Sequence, residues 1–297
     1  MEITFEQAKA FEAVVRRGTI QKAAQELNKA HSAVLYSLKS MEELLNLTLF
    51  NRSGYRNKIT NEGEIVLKYC KQMLSLRREL GEVCVKIKNG WEPSLKFVYD
   101  GVVDFNTIGD ALYILNEMKA PTEVKVLAAH LGEVESLFNE EDAHLMVTIL
   151  PLQKLQIPSF ELKPIRMHLV AHSHHPLGQK HRTKLGQSEL NRHTYVKIKT
   201  AHGQVGLGTE QMMFDSYFYV NDFNTKKSAI NKCLGFGWLP DYLTEKELSK
   251  GSLCLLNTEI DNTHTVYPRL YYRNEKNAGK AVTELLKFFK DATECQN

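Results

Sequence analysis

The segment from Gly18 to Gly63, GTIQKAAQELNKAHSAVLYSLKSMEELLNLTLFNRSGYRNKITNEG, permits few folds. Two short helical patterns, a tight turn and a basic hairpin follow one another with no spare residues. Gln21 to Leu27 reads as a first helix, in which Ala23 and Ala24 leave no bulk on the face that a second helix must cross closely. Asn28, Lys29 and Ala30 make the turn. Val34, Leu38, Met41 and Leu45 then recur at four, three and four residues, the buried stripe of a second helix. Its other face carries His31, Ser32, Leu35, Tyr36 and Lys39, positioned to meet base edges in a major groove. Imidazole and hydroxyl groups hydrogen-bond bases, Leu35 suits a thymine methyl, and Lys39 suits guanine or phosphate. Asn46 tolerates the left-handed conformation that ends the helix. Strands over Leu47 to Arg52 and Arg56 to Thr60 would flank Ser53, Gly54 and Tyr55, and Arg52, Arg56 and Lys58 make this wing basic enough to lie on a backbone or enter a minor groove. The sum is a winged helix-turn-helix, a device that binds double-stranded DNA.

An ordinary helical core with a solvated charged surface would show a similar helical pattern, and charge separates the two readings. Residues 1–90 hold 15 Lys and Arg against 10 Asp and Glu, a balance of +5. The remainder holds 23 against 25, a balance of −2, so the whole excess of +3 lies beside the motif.

Phe11, the GTI of 18–20, the AAxxL of 23–27, the SAV of 32–34, the MExxL of 41–45, the LFNRSGYR of 49–56, and Thr60 and Gly63 of ITNEG carry a resemblance. Together they resemble the N-terminal domain of the LysR-type transcriptional regulators. The departures are informative. Ala30 stands where the family usually has Ser, which removes a helix cap worth about 1 kcal/mol, and Ser32 is expected to take over by shifting the cap. His31 and Leu35 differ from the family's usual polar residues on the base-facing side, so the resemblance does not carry an operator sequence.

After the wing, Val66, Tyr69, Met73, Leu76, Leu80, Val83 and Ile87 are spaced alternately three and four apart, an a/d seam. Thr60 or Asn61 caps its start, with Glu62 and Glu64 at the positive end of the helix dipole. A helix packed only on its own domain would need a wider stripe, so the seam predicts a dimerising helix over 61–90. Gly81 weakens it by about 1 kcal/mol relative to Ala. The family resemblance likewise implies a linker helix that pairs two subunits, so that two recognition helices read the halves of an interrupted palindrome.

The N-terminus lacks the basic and apolar regions of a signal peptide, and no window approaches the roughly 20 apolar residues that span a bilayer. A cytoplasmic protein with no membrane partner is expected. Cys70, Cys84, Cys233, Cys254 and Cys295 are scattered and lack CxxC spacing, which fits reduced thiols. Beyond Asn89 to Pro93, strand-like runs at 95–100, 123–129, 144–150, 164–172, 195–199 and 217–220 interleave with helical runs at 106–119, 132–139, 225–234 and 277–292. That rhythm predicts a parallel sheet with helices on its faces.

HPLG at 175–178, LGFGWLPDYLTEKEL at 234–248 and VYPRLYY before the last helix resemble the effector-binding half of the same family. The resemblance implies an α/β chain: a winged helix-turn-helix over 1–60, a linker helix over 61–90, and a two-lobed, periplasmic-binding-protein-like effector domain over 91–297. Lobe I would comprise 91–161 and 266–297, and lobe II 162–265. A small effector would sit at the carboxyl ends of the strands, where helix N-termini offer free amides. That selects Asp100, Gly101, Val102, Ala129, His130 and Thr148 in the first lobe and Ala201, His202, Asn224 and Thr225 in the second. Asp100 or Asp104, in DGVVD, favours an amine- or hydroxyl-bearing effector, with internal pairing to a Lys or Arg as the competing role.

His172, His174 and His175 cluster, yet a metal site needs three or four preorganised ligands, and the HPL turn accounts for them. GQVGLG at 203–208 lacks the ending of a phosphate loop, no GxSxG or HExxH is present, and neither cofactor nor enzymatic activity is expected. The reading is a DNA-binding transcriptional regulator controlled by a small molecule, acting as a homodimer or, by family resemblance, a dimer of dimers. The competing class is a solute-binding or enzymatic α/β protein whose N-terminal helices serve assembly, which would not require the wing arginines.

Overall fold

The computed structural model describes residues 2–51, 58–180, 182–199, 214–259, 262–273 and 278–294. It divides into two compact units, 1–89 and 90–297.

The first unit contains α1 (Phe5–Arg17), α2 (Ile20–Glu26), α3 (His31–Leu45), β1 (Phe50–Asn51), β2 (Lys58–Ile59) and α4 (Asn61–Lys88). Thr4 and Gln7 form a reciprocal capping box at α1. Ala23 and Ala24 of α2 are buried against Phe11, Val14, Val34, Leu38 and Met41, and the Phe11 ring meets Phe50 edge-on at 5.3 Å. The small residues let α1, α2 and α3 share one core. Asn28 and Asn46 take the left-handed conformation, both with φ of 52°, and so end α2 and α3.

Two local expectations change here. The α3 cap does not shift to Ser32: the helix starts at His31, with Ala30 as an N-cap that has no side-chain hydrogen bond. The extended backbone of Ala30, with φ −65° and ψ 146°, already turns the chain into the helix. The long helix also packs on the first unit along part of its length. Val66 and Met73 of the expected seam, with Leu67 and Leu74, pack against the first unit's own core, and Cys70 is buried there. This face must cover α1, which leaves Tyr69, Leu76, Leu80 and Ile87 exposed, with Ile65 beside them. Val83 is partly buried.

The second unit begins with β3 (Ser94–Asp100), α5 (Phe105–Glu117), β4 (Glu123–Ala129), a turn of 3-10 helix at Leu131–Glu133, α6 (Val134–Glu140), β5 (Leu145–Thr148) and β6 (Ser159–Glu161). It continues with β7 (Ile165–His172), α7 (Pro176–Gln179), α8 (Gln187–Asn191), β8 (Tyr195–Ile198), β9 (Tyr217–Val220), α9 (Phe223–Asn231), β10 (Phe236–Pro240) and α10 (Asp241–Lys250). The chain then forms β11 (Leu253–Leu255), β12 (Thr263–Val266), β13 (Arg269–Tyr272) and α11 (Lys280–Glu294).

Two sheets define two lobes. The first has strand order β4-β3-β5-β13-β6; the second runs β11-β7-β10-β8-β9, with β12 also on β7. The sheets are mixed rather than parallel: β3 pairs parallel with β4 and β5, but β13 is antiparallel to β5 and β6, and β7 is antiparallel to β10, β11 and β12. The reason is the crossover. The first strand after each crossing between the lobes runs against its sheet: β7 on entry into the second lobe and β13 on return to the first. Val266 lies in β12 and pairs with Ile165, which carries the second sheet one residue past 265. Helix α11 rejoins the first lobe, where Phe289 meets Phe97 edge-on at 6.0 Å. Helix α9 starts at Phe223 rather than 225 because Asp222 caps it. Among the described residues, no helix is long and apolar enough to cross a membrane.

A candidate nucleic-acid interface and an interlobe cleft

Helix α3 presents the first candidate surface. Val34, Leu38 and Met41 anchor one face, while His31, Ser32 and Lys39 are exposed on the other, Leu35 is partly buried and Tyr36 is 74% exposed. A Tyr this exposed beside a Lys and a His is poorly placed for packing and well placed for a nucleic acid partner. Lys58 is exposed at the base of the wing; Arg52 and Arg56 lie outside the described residues.

The wing's base is tied to both neighbouring helices. The Glu42 carboxylate of α3 accepts hydrogen bonds from the backbone amides of Leu49 at 2.8 Å and Phe50 at 3.2 Å. The Thr60 hydroxyl donates to the Thr48 carbonyl at 2.7 Å and accepts from the Gly63 amide at 2.9 Å, capping α4. Gly63 is required by close approach: a Cβ there would lie 2.5 Å from the Leu49 carbonyl oxygen and 2.7 Å from Ile59 Cγ1.

The second surface is a cleft of about 460 Å³ between the lobes of the second unit. Its walls are Tyr99, Gly101, Val103, Asp104, Phe105, Asn106, Ala128 and His130 from lobe I, and Asp222, Phe223, Asn224, Tyr242 and Leu243 from lobe II. Of the expected pocket residues, Gly101, His130 and Asn224 are brought together here. Ala201 and His202 lie outside the described residues. Asp100, Val102, Ala129 and Thr148 are buried and do not line this cleft. They sit at strand ends whose side chains turn into the lobe: Asp100 Oδ1 accepts the Val102 amide at 3.2 Å, and the Thr148 hydroxyl accepts the Leu150 amide at 3.1 Å. Thr225 is also off the wall, because its amide and hydroxyl both donate to Asp222, at 2.8 and 2.6 Å.

Asp104 and Asp222 are the N-caps of α5 and α9. Asp104 accepts the Asn106 amide at 3.1 Å and the Asn106 side-chain amide at 3.2 Å. Burial opposes ionisation of Asp222, but the hydrogen bonds from Thr225 and the Asn224 amide outweigh it and hold its carboxyl below the usual range. Burial pushes His130 down, so the imidazole is neutral at pH 7. It lies over Gly101, where a Cβ would come within 2.4 Å of the ring. A signal for these walls was present in the sequence and was missed. The tetrapeptide DFNT occurs twice, at 104–107 and 222–225, once at the start of a helix in each lobe.

Behind Phe223 lies Lys226, 3% exposed, its ammonium 5.1 Å from the Tyr195 ring centre and 5.9 Å from that of Phe223. Burial, with the charge of Lys197, pushes its pKa down to about 7. His175 caps α7 through Nδ1, which accepts the Leu177 amide at 3.2 Å. The His172 and His174 rings meet at 5.1 Å, yet among the described residues no group of three or more His, Cys, Asp or Glu could hold a metal ion.

A winged helix-turn-helix joined to a two-lobed α/β receptor with a cleft between its lobes is the build of a ligand-controlled transcriptional regulator. The profile described as "Bacterial regulatory helix-turn-helix protein, lysR family" matches residues 5–64, and "LysR substrate binding domain" matches residues 90–294. The chain belongs to the LysR family of transcriptional regulators. The probable regulator YhaJ of Escherichia coli K12 is 28% identical over 268 residues, spanning 86% of this chain and 87% of its own. The regulator AceR of Acinetobacter baumannii is 24% identical over 294 residues, 98% of each chain. Among solved structures, an OxyR cysteine mutant of Corynebacterium glutamicum has a TM-score of 0.71 at 16% identity, covering 99% of this chain and 95% of its own. CrgA of Neisseria meningitidis has a TM-score of 0.53 at 20% identity, covering 98% and 99%.

Proposed function

We propose that the chain grips an interrupted palindromic operator as a dimer, with α3 in the major groove and the wing on the flanking backbone, and that occupancy of the interlobe cleft changes how dimers are arranged on DNA. The observation that carries the first part is the division of α3 into a buried Val34, Leu38 and Met41 face and an exposed face bearing His31, Ser32, Tyr36 and Lys39. The stripe of Tyr69, Leu76, Leu80 and Ile87 supports dimerisation through α4, because large apolar side chains on one face of a 28-residue helix favour a helical partner. A second pairing, into a dimer of dimers, would let a small lobe movement become a change of DNA bend. The site of action is the cytoplasm.

The test is binding of the purified protein to fragments of its own upstream region, with the footprint mapped, titrated against salt and against random DNA. A two-fold symmetric protected site with a large specific-to-nonspecific ratio is expected. Equal affinity for operator and random DNA at every salt would reject the assignment.

A further inference from the structure

The two copies of DFNT bear on what the cleft holds. Asp104, Phe105 and Asn106 line it from lobe I, and Asp222, Phe223 and Asn224 line it from lobe II. Each triplet starts a helix of at least nine residues, each Asp is the N-cap, and both carboxylates are partly exposed to the cleft. The cavity is thus faced from both sides by the same chemical group on the same local fold.

A free helix N-terminus attracts anions through its unpaired amides. Here Asp104 takes the Asn106 amide and Asp222 the Thr225 amide, and each carboxylate oxygen keeps a further lone pair. The cleft lining among the described residues has Asp104 and Asp222 as its charged groups, with no Lys or Arg and a neutral His130. Tyr99, Phe105, Phe223 and Tyr242 add apolar and π surface, and His130 Nδ1 is a buried polar atom with no hydrogen-bond partner. An anion would face two negative charges. A cation gains both carboxylates and the neighbouring aromatic surface.

We propose that the effector of this cleft is a small organic dication, two ammonium groups joined by a short apolar chain, with one end on Asp104 of lobe I and the other on Asp222 of lobe II. This rests on the cleft being the effector site. It also supplies the coupling. A dication with one end on each lobe gains both carboxylates only when the lobes stand close enough for it to span them, so it favours the closed arrangement over the open one, which is the differential affinity that a ligand needs to shift a conformational equilibrium.

The experiment is calorimetric titration of the full chain with putrescine, cadaverine and hexamethylenediamine, alongside butylamine and succinate. At least one diamine is expected to bind, at least about tenfold tighter than butylamine, with no heat from succinate. Asp104→Asn and Asp222→Asn should each weaken diamine binding about tenfold while leaving the operator footprint intact. Binding of succinate strengthened by either substitution would overturn the dication while leaving the cleft as the effector site. Diamine affinity equal to that of butylamine, indifferent to both substitutions, or absent would also overturn it, and the footprint would stand or fall separately.

Discussion

The Tyr242 hydroxyl of α10 donates a hydrogen bond to the Val102 carbonyl oxygen at 3.2 Å, crossing from the second lobe to the first at the rim of the cleft. Burial pushes the phenol above its usual pKa, so it remains a donor throughout the physiological range. Tyr242→Phe keeps the ring and removes the bond, which is worth about 1 kcal/mol and so about fivefold in the ratio of closed to open lobes. Interlobe distance distributions from paired spin labels should shift toward separation. An unchanged distribution would show that the bond does not restrain the lobes.

Ala30→Ser should stabilise the N-terminal unit. The Ala30 backbone already has cap geometry and lacks a side-chain acceptor, so the hydroxyl adds about 1 kcal/mol. The denaturation midpoint of that unit reports it, and a midpoint that falls would contradict the capping account.

Gly63→Ala drives a methyl group into the Leu49 carbonyl and Ile59. The expected loss is about 1–3 kcal/mol, typical of overpacking, with the N-terminal unit melting earlier and the other unit unchanged. Gly81→Ala is the control: nothing lies within 4 Å of a Cβ there, so it should gain up to about 1 kcal/mol of helix stability.

Much of this architecture could be read from residue order, for reasons that differ by region. The DNA-binding unit is local: caps, a turn and a 3.6-residue period lie within one stretch, so Asn46, Thr60 and the Val34, Leu38 and Met41 face follow from nearest neighbours. On α4, Val66 and Met73 pack against the first unit's own core while the rest of the seam stays more open, because a periodicity does not say which of two partners covers it. The cleft was harder still. Which strand-end side chains face it depends on the crossovers that reverse β7 and β13, and Tyr242 reaches Val102 across 140 residues of chain. Of the loops that the rule of strand ends selects, those at Gly101, His130 and Asn224 border the cleft, and beside them Asp100 turns inward while Asp104 and Asp222 line the cleft.

Lys226 gives a pH signature. Its pKa falls from 10.5 to about 7 on folding, so between those values the unfolded chain binds more protons and stability rises with pH. Lys226→Met should flatten that rise and stabilise the second unit at pH 7 by about 1–4 kcal/mol, because a buried ammonium with no acidic partner among the described residues is replaced by an apolar chain of similar length. Chemical denaturation at pH 7 and pH 10 separates the two; an unaltered pH dependence in the variant would show that Lys226 is not the titrating group.

Leu76→Asp with Leu80→Asp should yield a monomer in sedimentation while the N-terminal unit stays folded, since both side chains are more than 60% exposed. Met73→Asp should instead destabilise that unit, because Met73 packs against its core. A dimer that survives the first pair would move the interface off α4.

The Glu42 carboxylate fastens the start of the wing to the helix that carries Tyr36 and Lys39. In the proposed grip on DNA, α3 and the base of the wing are therefore a ruler of fixed length rather than two independent feet. A rigid ruler can change what is written at its marks but not where the marks fall. New operators within such a lineage would arise by exchanging His31, Leu35 or Lys39 while the distance between groove and flank stays constant, and a Glu42 variant would read the same bases with its flanking grip out of step.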